Sequence, residues 1–307
     1  MRTIALTFAL ILTGCGYWPP GDKHHNSPTP AVTITADQVS QLTAIRASTR
    51  TWAKTCKGGI TCFDDSDGDS AIFAGIACLS GEQSQCQAVV ASQDADGKLW
   101  RAPDRVNVDI ENSSSRDMLL GGLTYIVATK DVKFATNLVK YIHSHGNTLC
   151  QDAKDNRCQF TLPTYSEGWG TIGRIWQYVG ITRDADMLAG SLGENEILAF
   201  ESEFSPTGYQ THLPMVEMLI RQRVGVWTQT LANAANKVVN VQNENPFFEY
   251  VAHGATATAA QLTIEQCGGP APSEHKYWTW QEDDVKQRWS SRNGWDCIAM
   301  INFLIGP

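Results

Sequence analysis

The run SSSRDMLLGGLTYIVATKDVKFATNLVKYIHSH, residues 113–145, decides the fold class. Apolar residues recur in it at three- and four-residue intervals on either side of a short polar turn, TKDVK at 129–133. That is the period of two helices each burying one face, and not the alternation of strands. A connection so short leaves the two helices no choice but to run antiparallel. The same reading extended outward gives helices at about 36–55, 69–80, 83–92, 115–129, 132–145, 167–180, 184–199, 210–224, 227–241, 255–267, 281–290 and 294–304. Similar short turns recur at GITRD, 180–184, and RVGVW, 223–227. Strand signals are confined to AVTITAD at 31–37 and to SQDADGKLWRAPDR at 92–105, the latter read as a long ordered loop carrying a small hairpin.

The chain of 307 residues opens MRTIALTFALILTGC, one positive charge followed by an apolar stretch too short for an ordinary membrane span, as in a secretory signal. Leu12-Thr13-Gly14-Cys15 resembles a bacterial lipobox, in which the cysteine is acylated and becomes the new N-terminus. On this reading residues 1–14 are the signal peptide and 15–34, rich in Pro, Gly, Ser and His, are a lipidated tether. Residues 35–307 form a single domain. Gly16 is no inner-membrane retention signal of the enterobacterial type, so a lipid anchor in the outer membrane of the bacterial envelope is favoured. No other segment is long and apolar enough to cross a bilayer.

With Cys15 set aside, Cys56, Cys62, Cys78, Cys86, Cys150, Cys158, Cys267 and Cys297 remain, an even number suited to an oxidising compartment. Their spacing suggests sequential disulfides, 56–62, 78–86, 150–158 and 267–297. The absence of any CxxC pair argues against zinc. A net charge of −8 makes nucleic acid an unsuitable partner, because phosphate binding needs a basic face.

Many antiparallel hairpins without a short repeat point to an all-α fold, an α/α toroid of about six helical hairpins clipped by disulfides; an irregular helical bundle is the competing arrangement. In hairpin count and in the motifs at its helix starts the chain resembles the six-hairpin, (α/α)6-toroid carbohydrate-active enzymes, a group of glycoside hydrolases and uronate-processing enzymes. The resemblance implies an inner ring of parallel helices whose N-terminal ends share one rim. Five helix starts carry polar or aromatic clusters that suit such a rim: DDSDGDSAIF at 64–73, SSSRDMLL at 113–120, YSEGWGTIGRIW at 165–176, GYQTHLPMVEMLIR at 208–221 and RNGWDCIAM at 292–300.

Each cluster also has a purely structural explanation. Ser114 with Asp117, and Asn293 with Asp296, have the form of capping boxes. Capping leaves Arg116 over, since a cation opposes the dipole at a helix N-terminus and is better explained by a carboxylate partner or an anionic ligand. Asp64, Asp65, Asp67 and Asp69 crowd four carboxylates together. They either share a cation, with Ca2+ at Asp65, Asp67 and Asp69 as the candidate, or present one acid of raised pKa to the cavity. A histidine in the first turn of a helix, His212, is usually a structural hydrogen-bonding group and alternatively touches substrate; His145 and His253 are weaker candidates. Trp169, Trp280 and Trp295 offer flat faces for stacking on a sugar, while Trp176 and Trp289 read as core.

These residues lead to a lipid-anchored envelope protein that binds a polysaccharide or glycan and cleaves it by carboxylate acid/base chemistry, as a glycoside hydrolase or a polysaccharide lyase. Asp69 and Asp117 would carry the acid/base roles, supported by Asp67 and Asp296, with His212 auxiliary. Arg105 and Arg116 would contact an anionic sugar or orient a carboxylate, and Tyr209 stands at a helix mouth. In an elimination, Tyr209 or His212 would be the base and Arg116 would neutralise the uronate. No GxSxG, HExxH, P-loop or dinucleotide fingerprint is present, and no resident metal is required. The alternative is a non-catalytic surface lipoprotein for glycan binding, receptor masking or envelope assembly, in which the charges at the helix starts are paired internally.

Overall fold

The computed structural model describes residues 33–53, 55, 70–108, 114–145, 170–181, 194–273, 278–281 and 292–307. Expectations placed on the signal segment, Cys15, Cys56, Cys62, Asp65, Asp67, Asp69, Cys150, Cys158 and Trp169 lie outside these residues. The described residues form twelve α-helices: α1 (Ala36–Arg50), α2 (Ser70–Leu79), α3 (Gln83–Ala91), α4 (Arg116–Thr129), α5 (Val132–Ser144), α6 (Gly170–Tyr178), α7 (Glu194–Phe204), α8 (Tyr209–Arg223), α9 (Gln229–Val241), α10 (Pro246–His253), α11 (Ala257–Cys267) and α12 (Trp295–Ile305). Short 3-10 turns occupy Pro103–Arg105 and Thr279–Gln281. Among the described residues there is no strand; an isolated antiparallel bridge joins Gln93 and Leu99 in the 92–105 loop. The other strand candidate, AVTITAD, leads into α1: Thr35 is its N-cap and closes a reciprocal capping box with Gln38.

Three helical expectations are corrected: the first helix, expected to reach 55, ends at Arg50 with Thr51 as its C-cap. Helix α7 runs on to Phe204, past the expected end at 199, because the first disfavoured position is the residue before Pro206. Helix α10 was not expected at all. Asn245 starts it by accepting hydrogen bonds from the Phe247 and Phe248 amides, and Pro246 sits where the missing N–H costs nothing.

The tightest contact lies between α2 and α4. A Cβ placed on Gly75 would come 2.3 Å from the Gly121 carbonyl oxygen, and one on Gly121 would come 2.2 Å from that of Ala71. The two backbones therefore touch, and only glycine is tolerated at the crossing. Helices α2, α4, α8 and α12 are buried along nearly their whole length, whereas α5 and α9 bury one face each. Helix α4 also packs on α6 and α8, α8 on α10, and α12 on α2. Helix α1 meets α11 and α12, so the start of the domain lies beside its end. Glu82 seals that junction: it takes the Arg50 guanidinium and the Asn302 amide, while Arg46 donates to the Asn302 carbonyl at 2.7 Å.

Two disulfides are present, Cys78–Cys86 between α2 and α3 and Cys267–Cys297 between α11 and α12, both as the spacing suggests. With 30 residues between its ends, the second removes roughly 3–4 kcal/mol of chain entropy from the unfolded state. No helix among the described residues is long and apolar enough to cross a membrane.

Candidate functional site

Two buried polar clusters lie at the starts of the long buried helices. The first is built on Arg116, the opening residue of α4, whose guanidinium pairs with Glu201 from α7 and, at 2.9 Å, with Glu217 from α8. Glu217 also accepts from the Thr171 hydroxyl at the start of α6 and lies 3.6 Å from Arg221, one turn further along α8. Arg221 donates to Thr171 Oγ1 at 2.9 Å and to Asn195 Oδ1 at 2.7 Å. Two cations meet two carboxylates among these described residues, and all but Glu201 and Asn195 are buried. Charges so enclosed are tolerable only because each is paired and hydrogen-bonded. The pairing also accounts for a cation standing against the α4 dipole.

The second cluster surrounds His212, in the first turn of α8. Gly208, at φ 94°, turns the chain into the helix, and the His212 amide bonds back to its carbonyl. The imidazole is fully buried among Phe73 of α2 and Phe247 and Phe248 of α10, with ring centroids 5.2–6.4 Å away. Trp278 stacks on Phe73 at 4.8 Å, and Trp280 meets Trp278 edge-on. Neither ring nitrogen of His212 has a hydrogen-bond partner, and neither has Trp278 Nε1. Burial alone pushes the imidazole pKa down to about 3, so His212 is neutral, one nitrogen a donor and the other an acceptor. Each unpartnered buried polar atom costs about 1–3 kcal/mol, which an apolar side chain at the same position would not.

The remaining candidates are dispersed. Helix α4 is capped at Ser115 and not at Ser114, and the Ser115 hydroxyl donates to the half-buried Asp117 carboxylate at 2.7 Å in place of a capping-box bond. At α12, Asn293 accepts from the Trp295 amide at 2.8 Å, and Asp296 is fully buried with an oxygen accepting from the Cys297 amide. Burial pulls the Arg292 guanidinium below its usual pKa, opposed by Asp296. Arg105 closes the 3-10 turn and is partly buried. Tyr209 is exposed at the mouth of α8. Trp280 is enclosed and donates to Gln266 at 2.9 Å, and Trp295 is buried as well. Both rings are packed in the core. Among the described residues no three His, Cys, Asp or Glu side chains are grouped to hold a metal.

No family model, curated protein or solved structure matches this chain. The chemistry of the two clusters must therefore speak for itself. The Arg116 cluster was half visible in the sequence, through the misplaced cation; its carboxylates were not, because Glu201 and Glu217 lie 85 and 101 residues away along the chain. For the His212 cluster the signal was the histidine in a helix start. Phe73, Phe247 and Phe248 read only as apolar.

Proposed function

We propose that the protein is an envelope lipoprotein, anchored through Cys15, whose domain binds a glycan at the starts of its buried helices. The observation that carries this reading is His212. A neutral imidazole with both nitrogens uncommitted and an indole whose N–H is also uncommitted, each in contact with Phe73, offer two donors and one acceptor in an aromatic setting that a ligand reaches only when the residues enclosing it open. A sugar hydroxyl offers one donor and two acceptors, and the CH faces of a sugar suit aromatic rings. An α/α toroid is the architecture proposed for the whole domain. Its support is the meeting of α1 with α11 and α12, and the convergence of the first turns of α2, α8 and α10 on His212.

The internal pairing of Arg116, Glu201, Glu217 and Arg221 favours binding without cleavage and a ligand without net charge, because these cations already face carboxylates. Cleavage is the second reading and rests on Asp69 and Asp117 as acid and base. Both are tested by offering neutral and anionic polysaccharides to wild type, Asp117→Asn and His212→Gln while following retention of polymer and appearance of new reducing ends. Polymer retained without new ends, and lost in His212→Gln, is the expected result. New ends abolished by Asp117→Asn would establish the enzyme instead, and no retention of any polymer would reject both. Incorporation of labelled palmitate, absent in Cys15→Ser, tests the anchor separately.

A further inference from the structure

The first turn of α8 separates two environments: His212 faces the interior, and its neighbour Thr211 lines a cavity on the other side. That cavity, of about 450 Å³, is bounded by the end of α7, the 205–208 turn, the start of α8 and the second half of α9. Its size is within the roughly 300–1,000 Å³ usual for small-ligand sites. We propose that it is a second binding site, for an uncharged oligosaccharide. The proposal goes beyond the His212 reading and shares none of its residues.

Phe204 stands at the cavity 68% exposed, with Phe200 beside it at a centroid distance of 4.5 Å. Exposed aromatic rings on one helix face are costly in water and are suited to covering the CH face of a sugar ring. Ser205, Thr207, Asn240 and Gln242 line the same space with hydroxyl and amide groups that make no side-chain hydrogen bond as donors to other described residues. Lys237 and Glu203 pair across the cavity at 2.7 Å. The ammonium keeps further donors and the carboxylate further acceptors, the arrangement that holds neighbouring hydroxyls. That ion pair leaves the site without net charge. Glu201, the adjacent carboxylate on α7, is taken by Arg116. An anionic polymer or an anionic lipid surface finds no spare cation here, whereas a neutral sugar needs none.

Calorimetric titration of the full-length protein with cellohexaose, maltohexaose, chitohexaose and polygalacturonate tests the proposal, with wild type compared against Phe204→Ala and Asn240→Ala. The expected result is binding of at least one neutral hexasaccharide, weakened about tenfold or more by Phe204→Ala and less by Asn240→Ala, at an unchanged melting temperature. Binding of no neutral hexasaccharide, binding of polygalacturonate alone, or equal affinity in Phe204→Ala overturns it. Loss of binding in a His212 variant with Phe204→Ala unaffected assigns the sugar to the buried cluster alone and equally overturns this site.

Discussion

Glu217 and His212 belong to the same helix, are both enclosed by the fold, and are treated in opposite ways. Two guanidiniums and a hydroxyl meet the carboxylate of Glu217, so its burial is compensated inside the protein. The imidazole of His212 has three phenyl rings around it and no hydrogen-bond partner at either nitrogen. Buried polar groups sort accordingly: a satisfied network can be retained for stability and specificity alone, whereas an unsatisfied group weakens the fold and calls for a role outside it.

The contrast is sharpest in mutation. Replacing Glu217 with Ala leaves Arg116 and Arg221 without their shared partner, and urea unfolding should show a loss of about 3–5 kcal/mol. A loss below about 1 kcal/mol would mean that the network is not a structural unit. His212→Leu, of similar volume and without polar atoms, should act in the other direction and raise stability by about 1–3 kcal/mol at neutral pH. Destabilisation would show that the imidazole has partners in solution.

Acid separates His212→Leu from wild type more finely. The pKa of His212 is about 3 in the fold against 6.5 in the open chain, so the unfolded chain takes up the proton first as pH falls. The contribution of this group is intact above about pH 6.5, declines by about 1.4 kcal/mol per pH unit below it, and levels off near pH 3. Urea midpoints at several pH values should therefore diverge between wild type and His212→Leu on the acid side; parallel curves would break the account of a dry imidazole. The smallest effect belongs to the surface: Phe204→Ala should alter stability by no more than about 0.5 kcal/mol, in keeping with a ring that is exposed rather than packed.

The fold was legible where local signals suffice. The α4–α5 hairpin follows from periodicity and one short turn, and the disulfides 78–86 and 267–297 follow from spacing. Helix α10 escaped because its signal is a cap, Asn245 before Pro246, over a run too short for periodicity to register. At the site, Arg116 could be singled out because it violates the helix dipole. Its partners could not, since pairing across α4, α7 and α8 is decided by tertiary packing. Trp280 and Trp295 show the converse difficulty: a tryptophan near a helix start has the same appearance in sequence whether it stacks on a ligand or fills a core, and only burial tells the two apart.

On the proposed function, His212 is kept unpaired for a ligand. The most direct test is to measure, on one preparation of His212→Leu at neutral pH, both the unfolding free energy and the affinity for whichever polysaccharide wild type is found to retain. A more stable protein that has lost binding is the expected result; a more stable protein that binds as well as wild type would contradict it.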